Sequence, residues 1–171
     1  MDIEKAILTA IHYETRVHEV YAQAAAGAPT AAARRTLGFL AREERYHLDF
    51  LAEQLSTWRE RGLVEPARLK TSLPSRATIQ AAGARLEAHM RAHAPAEELE
   101  MLRRALAVEK ETSAYYAGLV AGLPEGEPRR LFQRFLEIEE GHQNLVQAEL
   151  DSLMGLGVWF DCQEFDLEGE R

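Results

Sequence analysis

The sequence predicts an all-α fold: a four-helix bundle of two antiparallel helix pairs joined by a long crossover. Three observations predict it. Alanine, leucine, glutamate and arginine dominate the 171 residues, and no stretch alternates apolar and polar residues as a strand would. Apolar residues instead recur at steps of three and four along four long stretches, the period of a helix with one buried face. The last two of those stretches also repeat key residues of the first two at one constant offset of 95.

The first helix is expected over 2–26, with Asp2 as N-cap and Gly27 as its stop. Its apolar seam is Ile3, Ile7, Ala10, Val17 and Ala24, and Glu14 and Tyr21 fall on the same seam. A second helix follows over 30–61 and ends at Gly62. Its seam is Ala33, Leu37, Leu40, Leu51, Leu55 and Trp58, with Glu44 and His47 filling the gap in the middle. Gly62, Pro66 and Pro74 make residues 62–75 a loop. A short helix over 76–92, capped by Ser75, is expected within the crossover. Pro95 opens the third helix, 95–122, with Leu102, Ala105, Leu119 and Leu123 on its seam and Glu109, Thr112 and Tyr116 in line with them. Residues 123–128 (LPEGEP) form a turn. The fourth helix, 127–154, has Phe132, Phe135, Val146, Leu150 and Leu153 on its seam, and Glu139 and His142 between them. Helices of this length are rods of ~40 Å. Residues 1–155 thus read as one bundle. The tail 156–171 is aromatic at Trp159 and Phe160, acidic at its end, and is expected to dock on the bundle or on a second subunit.

Composition narrows the function. A net charge of −8 without a basic block argues against a nucleic-acid partner. The single cysteine, Cys162, excludes an internal disulfide or a four-cysteine metal site, and reads as an inert packed thiol. No secretory leader is visible, and no run approaches the ~18 apolar residues of a membrane span. A cytoplasmic location is the expectation.

The chemistry lies in the duplication. Glu44-Arg45-Tyr46-His47 has a counterpart in Glu139-Glu140-Gly141-His142. Glu-x-x-His on a helix places a carboxylate and an imidazole on one face, a turn apart. One such pair is within reach of chance. However, Glu14 and Tyr21 precede the first copy at the same distances at which Glu109 and Tyr116 precede the second. Each half therefore supplies half of one site. All six donors, Glu14, Glu44, His47, Glu109, Glu139 and His142, point to the core near mid-helix. Four buried carboxylates without partners would each cost several kcal/mol. No Lys or Arg occupies a seam position at that level, so divalent cations are the expected partners. Oxygen-rich coordination with one histidine per metal suits iron or manganese better than structural zinc. The blander reading is a polar core held by ion pairs. Glu43, Glu111 and Glu140 turn away from the seam and are expected in solvent. His18 is expected to be interfacial, and His89 and His93 to be solvated.

This pattern is that of the di-metal carboxylate bundles, in which one Glu from each of two helices joins Glu-x-x-His from each of the other two. The sequence resembles the rubrerythrin family of ferritin-like proteins along essentially its whole length, including the ending VWFDCQEFDLE. The resemblance implies two iron ions. Glu44 and Glu139 would bridge them, Glu14 and Glu109 would be terminal ligands, and His47 and His142 would take one ion each. Tyr21 and Tyr116 would hydrogen-bond ligand carboxylates. It further implies reduction of peroxide or oxygen. A homodimer is expected because the aromatic tail is too apolar to leave bare and the connection helix adds bulk. Full-length rubrerythrins carry a rubredoxin domain, which one cysteine cannot build, so electrons would come from an external, rubredoxin-like donor. Many rubrerythrins also have a further Glu three residues after the third-helix ligand, where this chain has Thr112. Iron storage or ferroxidase activity in the manner of ferritin is the alternative. A dimanganese catalase-like activity, zinc occupancy and a purely structural metal are further options.

Overall fold

The computed structural model describes residues 2–73 and 96–154. The expected short helix 76–92 and the tail 156–171, with Pro95, His89, His93, Trp159, Phe160 and Cys162, lie outside the described residues. Within them the architecture is an all-helical bundle without strands. Its helices are α1 (Ile3–Gly27), α2 (Ala31–Arg61), α3 (Ala96–Gly122) and α4 (Glu127–Leu153), with a 3-10 turn at Pro66–Arg68 after α2.

Local chemistry sets the helix ends. Asp2 accepts from the Lys5 N–H at 3.1 Å, and Thr30 accepts from the Ala33 N–H at the same distance, so both caps satisfy an otherwise unpaired donor. Gly62 closes α2 at φ 67°, a left-handed conformation that favours glycine, and its N–H reaches the Trp58 carbonyl at 2.8 Å.

Helix α1 packs along α2, α3 along α4, and α1 against α3. Helices α2 and α4 approach each other less closely than those pairs. The 3-10 turn packs on α4. The core is split in two. One cluster holds Val17, Leu37, Leu40, Leu102 and Val146; the other holds Ile7, Leu51, Leu131, Phe132 and Phe135. A polar belt at mid-helix lies between them. At about 1.5–3 kcal/mol for each fully buried large apolar side chain, these clusters outweigh the cost of a few charged groups in the belt.

Candidate metal centre

All six sequence-predicted donors and both tyrosines are fully buried, each at 0% exposure. Their seam positions on four helices bring them to one level. Glu44, His47, Glu139 and His142 offer one atom each within 4.8 Å of one another, close enough to hold a metal ion.

The two central carboxylates span the two imidazoles. Glu44 Oε2 lies 3.4 Å from His47 Nδ1, and its Oε1 lies 2.7 Å from His142 Nδ1. Glu139 Oε1 lies 3.5 Å from His47 Nδ1, and its Oε2 lies 3.6 Å from His142 Nδ1. The outer carboxylates divide: Glu14 Oε2 is 3.2 Å from His47 Nδ1, and Glu109 Oε1 is 3.6 Å from His142 Nδ1. The imidazole rings stack at 5.4 Å, and Phe135 meets His47 edge-on at 5.5 Å, which fixes its ring plane.

The tyrosines cross between the halves. Tyr116 donates its hydroxyl to Glu14 Oε1 at 2.5 Å, and Tyr21 donates to Glu109 Oε1. Each outer carboxylate is thus held by one oxygen from the other half of the chain. Burial raises both phenols well above their ordinary range, and Glu109 beside Tyr21 and Glu14 beside Tyr116 push further the same way. Both therefore stay neutral and donate.

Several buried donor atoms have no hydrogen-bond partner: both oxygens of Glu44 and of Glu139, Glu109 Oε2, and Nε2 of both histidines. Orphaned polar atoms at this depth are costly unless a ligand completes them. Carboxylate and imidazole are donors for a divalent transition metal, so the residues fit such an ion. Without metal the charges resolve by protonation. Burial pulls His47 down, but Glu44 and then Glu14 outweigh it and raise it to about 10. His142 is likewise raised despite burial, first by Glu44 and then by Glu139. Burial, and then Glu139, raises Glu109 well above the usual carboxylate range.

Thr112 is buried, and its hydroxyl donates to the Val108 carbonyl of its own helix at 2.9 Å. His18 is half-buried, and Glu111 and Glu140 are exposed. Glu43 departs from expectation. It is 8% exposed rather than solvated, because residues 71–72 fold over it and use its carboxylate as an acceptor. Sequence reasoning also missed Gly141, whose place inside a helix costs about 1 kcal/mol relative to alanine and signals close approach by another segment. Leu73 is that neighbour.

Fold and cluster together define an all-helical bundle whose buried carboxylate–imidazole group can hold a metal ion. No protein-family model, characterised protein or solved structure matches the chain. No helix among the described residues is long and apolar enough to cross a membrane.

Proposed function

We propose that this chain is a non-haem di-iron protein of rubrerythrin type, within the ferritin-like bundles. Its activity is that of an oxidoreductase reducing peroxide or dioxygen with electrons from an external donor. The observation that carries the reading is the spanning of Glu44 and Glu139. Each presents one oxygen to His47 and the other to His142, while Glu14 faces His47 and Glu109 faces His142. Two ligand sets that share two carboxylates suit a pair of ions better than one. One ion would be held by Glu14 and His47, the other by Glu109 and His142, with Glu44 and Glu139 between them.

When bound, an adjacent pair of redox metals supplies two electrons to the two oxygens of an O–O bond. The chain's own residues supply the setting. Tyr21 and Tyr116 hold one oxygen of Glu109 and Glu14, limit the swing of those carboxylates, and keep a proton beside them. The apolar clusters on either side exclude water, which strengthens every charge interaction in the belt. Thr112 offers no carboxylate, so a ligand exchange that relies on the family's extra Glu has no donor at that position. The expected setting is a cytoplasmic homodimer served by a rubredoxin-like reductant.

Iron-loaded, reduced protein mixed with hydrogen peroxide tests the reading. The centre should oxidise and consume peroxide much faster than the same concentration of free ferrous ion. Equal rates would remove the oxidoreductase reading. Elution as a shell of many subunits would turn it towards iron storage.

A further inference from the structure

The segment after α2 doubles back along the helix it has just left. Gln54 Oε1 accepts from the Glu65 N–H at 2.6 Å. The Tyr46 hydroxyl donates to the Arg68 carbonyl at 3.3 Å. Glu43 Oε2 accepts from the Thr71 hydroxyl at 2.6 Å and from the Ser72 N–H at 3.1 Å. Thr71 Oγ1 in turn accepts from the Leu73 N–H at 3.1 Å, forming a tight turn. The partners on α2 therefore descend from 54 to 46 to 43 as the strap advances, and its last described residues arrive one position from Glu44. Its other side meets α4. Leu73 Cδ1 lies 3.2 Å from where a Cβ would stand at Gly141, the residue before His142. Leu73 packs against both apolar clusters, above and below the polar belt.

We propose that Leu73, held in place by Glu43, is the gate of the metal centre between α2 and α4. It selects for oxidants the size of hydrogen peroxide or dioxygen over bulky organic hydroperoxides. The proposal rests on the metal-centre reading above. Among the described residues α1 packs directly on α2 and on α3, and α3 on α4. Helices α2 and α4 approach less closely, meeting through His47, Phe50, Phe135 and His142, and the strap lies along that seam against both helices. Turning one leucine aside needs only a local opening, whereas parting two packed helices disrupts the core. The absence of a side chain at Gly141 provides the notch in which the leucine seats. Glu43 is a positioning residue: it acts on the centre only through Leu73.

Release of cobalt(II) from the loaded full-length chain to dipicolinate, followed by the visible spectrum, tests the gate without any redox chemistry. Leu73→Ala and Glu43→Ala should each release cobalt at least about tenfold faster than wild type at unchanged stoichiometry. Glu43→Gln keeps an oxygen that accepts from Thr71 and Ser72, and should stay within about threefold. Leu73→Val gives an intermediate rate and serves where the alanine variant does not fold. In iron-loaded protein, the preference for hydrogen peroxide over cumene hydroperoxide should shrink in Leu73→Ala. Wild-type cobalt release in Leu73→Ala and Glu43→Ala overturns the proposal, as does release from Glu43→Gln as fast as from Glu43→Ala. Indifference of the iron-loaded wild type to every peroxide would sink the oxidoreductase reading alone, because cobalt release would still decide the gate.

Discussion

The two broad sides of the carboxylate–imidazole cluster are covered by different means. On one side α1 and α3 pack directly, and Tyr21 and Tyr116 reach across in equivalent bonds. Arg16 and Glu111, the same position in the two halves, join at 2.8 Å on that face. On the other side α2 and α4 carry the equivalent Glu-x-x-His pairs and meet through His47, Phe50, Phe135 and His142, and the strap after α2 lies against both helices. The first side is held by paired contacts between the two halves, whereas the second, among the described residues, adds to its paired donors a cover drawn from the segment after α2. Even the first side breaks symmetry at its surface. Tyr13 and Tyr115 stack at 4.7 Å across α1 and α3, while the equivalent pair, Val108 and Val20, lines a groove of about 430 Å³. The inner residues keep the repeat because both halves send the same donors to one buried cluster. Residues outside them answer only to local packing.

The largest expected effect falls on the shared carboxylates. Glu44→Ala and Glu139→Ala should each weaken metal binding by more than about a hundredfold, beyond the usual cost of losing an outer partner. Calorimetric titration should show both equivalents affected in both variants. Loss confined to one equivalent would break the account of two spanning ligands.

Next is pH, which separates metal-free from loaded protein. The metal-free folded state holds protons on His47, His142 and Glu109 that the unfolded chain releases at lower pH. The stability His47 contributes is full below its ordinary 6.5 and is lost as pH rises through about 10. Glu109, raised above its ordinary 4.5, contributes stability that is likewise lost as pH rises. A metal displaces these protons, so affinity should climb over the same range. Thermal melts should show the gap between loaded and metal-free protein widening from pH 6 to pH 10. A constant gap would contradict the proton-filled cluster.

The tyrosines sharpen the symmetric side. Tyr21→Phe and Tyr116→Phe should each cost about tenfold in metal affinity, the lower end for a partner that orients a ligand. Their effects should match, and a large inequality would show that the two ion positions differ despite the repeat.

The smallest effects compare the two faces by stability in urea. Gln54→Ala should cost about 1–3 kcal/mol, because it strips the strap's Glu65 N–H of its acceptor. Arg16→Ala should cost less than about 0.5 kcal/mol, because that pair is roughly half exposed. A reversal of this order would mean that the strap is loosely attached.

The candidate site was legible because it is written in helical period. A residue at seam spacing points inward whichever helix it meets, so Glu14, Tyr21, Glu44 and His47, with their copies 95 residues on, were locatable from the chain alone. The caps at Asp2 and Thr30 and the stop at Gly62 follow from local chemistry in the same way. Glu43 was misread for the converse reason. It turns about a hundred degrees from Glu44, which in an isolated helix pair means solvent.

The sequence by itself thus determined four amphipathic helices and the eight polar residues on their inner faces, because period is a property of neighbours along the chain. Tertiary structure alone decided which oxygen of Glu44 meets which imidazole and that each tyrosine serves the opposite half. It also decided that the strap buries Glu43 and seats Leu73 beside Gly141. Those contacts join residues far apart in sequence, several of them in a segment without periodicity, so they exist only once the helices have packed.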